Sequence, residues 1–123
     1  MADLKVEGYG TFEVPEGKRL LKAIEDSGVD ILHRCGGNAR CTTCRVEFYA
    51  GEPQRMTTAE FMRLEQEGLL GEARLSCQCK VEGDMHLKPL KTVSNSEHSE
   101  PGSEPEDEIT PEPEWVPLDE IPM

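Results

Sequence analysis

Five cysteines are the residues of this chain best suited to hold a metal, and their spacing sorts them. Cys35-Gly-Gly-Asn-Ala-Arg-Cys41-Thr-Thr-Cys44 places three thiols within ten residues as C-x5-C-x2-C, and Arg74-Leu75-Ser76-Cys77-Gln78-Cys79 supplies two more downstream. Thiolates are soft ligands that favour zinc or iron joined by sulfide. Two irons bridged by two sulfides need four thiolates, two on each iron. One loop can give three of them if its backbone wraps the metal. Wrapping requires glycine where φ is positive and small side chains where N–H groups must approach sulfur. Gly36, Gly37, Ala39, Thr42 and Thr43 meet that demand. Such N–H groups stabilise the extra negative charge of a reduced centre and so help set its potential.

Other metal chemistries fit less of the pattern. A structural zinc site could be built from Cys41, Cys44, Cys77 and Cys79, because two closely spaced pairs are how a zinc ribbon is made. It would leave Cys35 and the glycine-rich loop without a role. A Rieske centre needs two histidines in place of two cysteines. His33 lies two residues before Cys35, but His86 and His98 have no adjacent ligand motif, and His33 reads as a loop residue beside the metal. Between Cys77 and Cys79, residues two apart on a strand face the same side, so geometry alone leaves the choice open. No nucleophile–base pair appears among the abundant Asp and Glu.

The flanking segments must position these thiols. Leu4 and Val6, then Phe12 and Val14, alternate with polar neighbours around Gly8-Tyr9-Gly10, which predicts two strands joined by a turn. Leu20, Leu21 and Ile24 share a helical face over Lys18 to Ser27, with Gly28 placed to stop it. A strand follows over Arg45 to Tyr49, broken at Gly51-Glu52-Pro53. Thr57-Thr58-Ala59-Glu60 has the spacing of a capping box, predicting a short helix that buries Phe61 and Leu64 and ends near Gly68. Arg74 to Cys77 and Met85 to Leu87 read as two more strands. This order suits an α+β architecture, a mixed sheet partly wrapped around one main helix in the layout called β-grasp.

The chain has 123 residues, enough for one domain but not for two independent cores. Its charge is unevenly spread. Residues 1–91 carry 15 acids against all 13 Lys and Arg, a net −2, whereas residues 92–123 carry 10 acids and no Lys or Arg. The Ser-, Glu- and Pro-rich tail has too little apolar surface to offset the entropy of ordering it, which predicts disorder. Trp115-Val116-Pro117-Leu118 and Ile121-Pro122-Met123 form an apolar island that reads either as stray residues or as a docking motif. No run of about 20 apolar residues exists to span a membrane. Five cysteines without a secretory signal at Met1-Ala2-Asp3-Leu4-Lys5 point to the cytoplasm or an equivalent reducing compartment. An acidic chain is repelled by nucleic-acid phosphates, so no nucleic-acid partner is expected.

The loop Cys35 to Cys44, followed by Arg-Leu-Ser-Cys77-Gln, resembles the 2Fe–2S ferredoxin family over residues 2–91. Its five-residue first gap is similar to the adrenodoxin-like and related bacterial members, where the plant type has four. The resemblance implies a β-grasp domain at residues 1–91 and one 2Fe–2S cluster bound by Cys35, Cys41, Cys44 and Cys77. Cys35 and Cys41 would hold the iron nearer the surface, Cys44 and Cys77 the inner one, and Cys79 would be an ordinary semi-buried cysteine. It implies a monomeric one-electron carrier and no enzyme, passing electrons between a ferredoxin reductase and other redox enzymes.

Ferredoxin partners are commonly recognised through acidic patches. Glu60, Glu65, Glu67 and Glu72 resemble such a patch in position, and read equally as a solvated helix face. Arg34, Arg40, Arg45 and Arg74 flank the cysteine segments and predict a locally basic rim. The acidic tail would then be suited to cover that rim until a partner displaces it.

Overall fold

Strand β1 (Ala2–Val6) turns Ala2, Leu4 and Val6 inward and pairs antiparallel with β2 (Gly10–Val14), Leu4 opposite Phe12. The computed structural model describes residues 1–34, 42–97, 99–100, 102 and 104–121. Helix α1 (Leu20–Asp26) begins two residues later than the apolar pattern suggests, with Arg19 at its N-cap and no side-chain cap. Gly28 ends it with φ 93°. Strand β3 (Arg45–Ala50) follows, then β4 (Arg55–Thr57), helix α2 (Thr58–Gln66), β5 (Arg74–Leu75) and β6 (Met85–Pro89).

The main sheet has the order β2-β1-β6-β3-β5. Its central pair, β1 with β6, is parallel, and its other pairings are antiparallel. With α1 packed on this sheet, the arrangement is the expected α+β β-grasp layout. Leu20, Leu21 and Ile24 of α1 join Leu4, Val46, Leu75 and Leu87 of the strands in one core, and Cys44, Cys77 and Cys79 belong to it too. Each fully buried Leu or Ile contributes about 1.5–3 kcal/mol relative to exposure. At the end of β3 the register with β6 shifts between Phe48 and Ala50, and Gly51 lies hard against the segment that leads into β6. A Cβ at Gly51 would stand 2.2 Å from the Asp84 carbonyl, and its φ is +78°, so only glycine fits there.

Three expectations change. The strand read over Arg74 to Cys77 is only Arg74–Leu75, and Ser76–Gln78 form a 3-10 turn. The capping box is half made: Thr57 Oγ1 accepts from Glu60 N at 3.1 Å, but the Glu60 carboxylate turns inward to other donors. The tail departs most from its reading. Thr92 bridges to Ile31, Ile109 is buried, and β7 (Trp115–Pro117) pairs antiparallel with β4, Thr57 opposite Trp115. A 3-10 turn at Leu118–Glu120 follows, and Leu118 and Ile121 pack against the core. Composition counts the apolar side chains a segment owns. It does not count the sheet edge and basic surface that the rest of the chain offers it.

Candidate metal centre

Cys44 ends the turn that leads into β3, and Cys77 sits in the middle of the 3-10 turn; both are buried. Their segments are tied together through Ser76, whose N–H and hydroxyl donate to the Cys44 carbonyl at 3.2 and 2.8 Å. Directly beside them Arg45 pairs with Leu75 between β3 and β5. The Cys77 carbonyl accepts from Arg19 Nε at 2.8 Å, and Gln78 Nε2 lies 3.7 Å from Cys77 Sγ. The other two candidate ligands, Cys35 and Cys41, lie outside the described residues, together with Gly36, Gly37, Ala39 and Arg40.

The open choice between Cys77 and Cys79 assumes a strand, and the chain forms none there. Cys77 lies inside the 3-10 turn and Cys79 is the extended residue that ends it, so the two-residue period of a strand does not relate them. Cys79 Sγ donates to the Leu75 carbonyl at 3.4 Å. Burial, with a smaller push from Glu60, raises the Cys79 thiol well above its ordinary range.

Below this turn lies a buried ion pair that the acidic-patch reading of Glu60 missed. Glu60 is fully buried, and its Oε2 accepts from Arg74 Nε and from the Leu75 N–H, each at 2.8 Å. Arg74 also donates to the carbonyls of Pro53 and Arg55 and to Glu52. Arg74 is therefore an internal clamp on the residue pair before Ser76, and not part of a basic rim. A basic and an acidic residue 14 apart carry no local sequence signal; only the fold pairs them. Of the remaining predicted patch, Glu65, Glu67 and Glu72 are exposed. Arg45 folds back on Thr42, donating to its carbonyl at 2.8 Å. Arg34 is exposed and donates to the Glu100 carbonyl of the tail at 3.0 Å. His33 is buried, its Nε2 bonded to the Glu25 carboxylate.

Buried thiols on turns locked by backbone hydrogen bonds are the donor chemistry of an iron–sulfur centre, and Cys44 and Cys77 fit it. No helix among the described residues is long and apolar enough to cross a membrane.

The profile of the 2Fe-2S iron-sulfur cluster binding domain matches residues 4–82. In Chlamydia felis, the F component of the Na(+)-translocating NADH-quinone reductase is 40% identical over 80 residues, covering 63% of this chain and 18% of that protein. Its namesake in Neisseria meningitidis is 33% identical over 90 residues, 73% of this chain and 22% of that one. The chain thus spans about a fifth of the length of these curated relatives. Among solved structures, the ISC-like 2Fe-2S ferredoxin of Pseudomonas putida JCM 20004 is similar with TM-score 0.59 and 27% identity, covering 72% of this chain and 91% of that one. A ferredoxin of Rhodopseudomonas palustris HaA2 shares the fold, with TM-score 0.52, 23% identity and coverage of 74% and 97%. The cofactor is a 2Fe–2S cluster, and the role it supports is electron transfer. The chain belongs to the family of 2Fe-2S iron-sulfur cluster binding domains.

Proposed function

We propose that Cys35, Cys41, Cys44 and Cys77 hold the cluster and that the protein is a one-electron carrier between a reductase and acceptor oxidoreductases. It acts as a carrier and not as an enzyme, without turning over a substrate of its own. Bound there, the cluster would supply reversible one-electron chemistry with no bond made or broken in the protein. The carrying observation is the turn at Ser76–Gln78, whose Ser76 bonds draw the Cys77 turn onto the Cys44 carbonyl while Cys79 donates to Leu75. Residues 1–91 act as the cluster domain and residues 92–123 as an acidic appendage. A reducing compartment such as the cytoplasm suits the unpaired use of thiols as ligands. The NADH-quinone reductase relatives support redox enzymes as partners, and a single-copy carrier needs no second chain to complete the ligand set.

The test is spectroscopic. The purified protein should be red-brown, bind iron and no zinc, and bleach on dithionite. Serine at Cys35, Cys41, Cys44 or Cys77 should abolish or alter that spectrum, and Cys79→Ser should leave it intact. A colourless zinc protein, or a cluster lost with Cys79 and kept without Cys77, would refute the reading. Reduction by a flavin-dependent ferredoxin reductase, followed by electron delivery to an acceptor, tests the carrier role.

A further inference from the structure

The turn that carries Cys77 is touched from outside by the acidic tail, and Gln78 is where the two meet. The Gln78 side chain is fully buried. Its Oε1 accepts from Thr57 Oγ1 at 2.8 Å, and its Nε2 donates to the Thr110 carbonyl at 2.7 Å while lying 3.7 Å from Cys77 Sγ. The Thr110 carbonyl can only accept, which sets the amide nitrogen on that side and leaves its oxygen for the Thr57 hydroxyl, itself an acceptor for Glu60 N. The two N–H groups are then available to the Thr110 carbonyl and the Cys77 sulfur.

Thr110 is held in place from both sides. Upstream, Arg19 Nη1 donates to the Glu106 carbonyl at 2.8 Å, and Ile109 is buried. Downstream, Thr58 N donates to Glu114 and Leu118 N donates to Gln54, each at 2.9 Å, closing the β4–β7 pair.

We propose that Gln78 is a positioning residue for electron uptake and that the tail is its latch: docked, it holds an N–H on the Cys77 sulfur; released, it frees that donor. The proposal rests on the reading of Cys77 as a cluster ligand. A hydrogen bond to a ligating sulfur favours the state with the extra electron, so release shifts the reduction potential downward. Linkage is reciprocal, so through this contact reduction tightens tail docking and lifting the tail makes a stronger reductant. One electron enters from the reductant, no bond is formed or broken, and the amide proton stays on nitrogen. The carboxylates of the tail work in the opposite sense, because moving them away favours reduction. They are screened in about 1 M salt, where the Debye length is about 3 Å, and the buried contact then sets the sign.

The experiment uses the full-length, cluster-loaded protein, titrated with dithionite in about 1 M salt while visible absorption is followed. The chain has a single tryptophan, Trp115, so its emission reports the docked tail. Two neutral substitutions release the tail: Ile109→Asn places an amide in an apolar site, and Leu118→Pro removes the N–H bonded to Gln54. Both should move Trp115 emission to the red and lower the potential. Gln78→Met should lower the potential on its own, and adding Ile109→Asn to it should lower it no further. Unchanged emission in both release variants, released emission with an unchanged or higher potential, or additive shifts in the double variant would each overturn the latch. If Gln78→Met does not load, the two release variants decide the matter alone. Failure of the ligand reading looks different: Cys77→Ser would keep the parent spectrum.

Discussion

The turn bearing Cys77 is gripped from two sides by regions of opposite character. From within, Glu60 and Arg74 reach it from α2 and β5, both almost wholly out of water. From without, residues 104–118 reach it through backbone carbonyls and one exposed carboxylate: Glu104, 81% exposed, meets Lys22 at 3.2 Å. The same charged residue types thus act by different physics. A buried pair is held by hydrogen bonds that must all be satisfied, and losing one member strands the other. A pair with one carboxylate in water and a buried Lys22 gains little alone, so the tail depends on backbone pairing and apolar contact.

The comparison breaks most sharply at Glu60. Glu60→Ala removes the acceptor of both Arg74 Nε and the Leu75 N–H and leaves a buried guanidinium short of partners. The expected loss is about 3–5 kcal/mol, read by denaturant unfolding at neutral pH. Glu104→Ala, the equivalent change outside, should lower the same unfolding free energy by no more than about 1 kcal/mol. Equal effects would erase the distinction between the two grips.

Arg19 tests the boundary between them, since its Nε serves the Cys77 carbonyl and its Nη1 the Glu106 carbonyl. Arg19→Met keeps an apolar stem and removes both donors. A loss of about 1–3 kcal/mol is expected, because a buried carbonyl loses its partner. Trp115 emission should change in the same variant. Destabilisation without any change at Trp115 would assign Arg19 to the inner grip alone.

Much of this was legible in the chain itself. Alternation set β1, β2 and β3, and the apolar spacing of Leu20, Leu21 and Ile24 set α1, because local periodicity follows from which face meets the core. The four-thiol pattern was equally plain, since ligand spacing is a local constraint. What escaped was non-local. Glu60 and Arg74 look like ordinary surface charges until β5 is laid against the start of α2. Gln78 looks like a spacer between two cysteines until the turn points it at Thr57 and Thr110. The tail looks disordered because its partners, the β4 edge and the Arg19 and Lys22 side chains, are contributed by distant parts of the chain.

The outer grip has its own weak point where Arg55 lies over the Trp115 ring, 3.9 Å from its centre. A double-mutant cycle of Arg55→Ala and Trp115→Ala should give a coupling of about 0.5–1 kcal/mol in the unfolding free energy. A coupling near zero would assign the β4–β7 contact to backbone pairing alone.

The smallest effect is expected where the tail begins. Asp30 accepts from Tyr9 Oη at 2.5 Å and from the Ser94 N–H at 2.8 Å. The Tyr9 bond, with help from Ser94, holds the Asp30 carboxyl below its ordinary range, while burial and that same bond push the Tyr9 phenol above its ordinary value. A depressed carboxyl adds stability that is present above its unfolded pKa and is lost as pH falls through the folded one. A raised phenol adds stability that is present below its unfolded pKa and is lost as pH rises through the folded one. Asp30→Asn should therefore flatten the acid limb of the stability profile and bring the Tyr9 titration down towards about 10, followed as tyrosinate absorbance. Because both groups lie near the surface, the change should be slight beside that of Glu60→Ala. A Tyr9 titration that stays put would mean that burial alone, and not the link to the start of the tail, holds the phenol up.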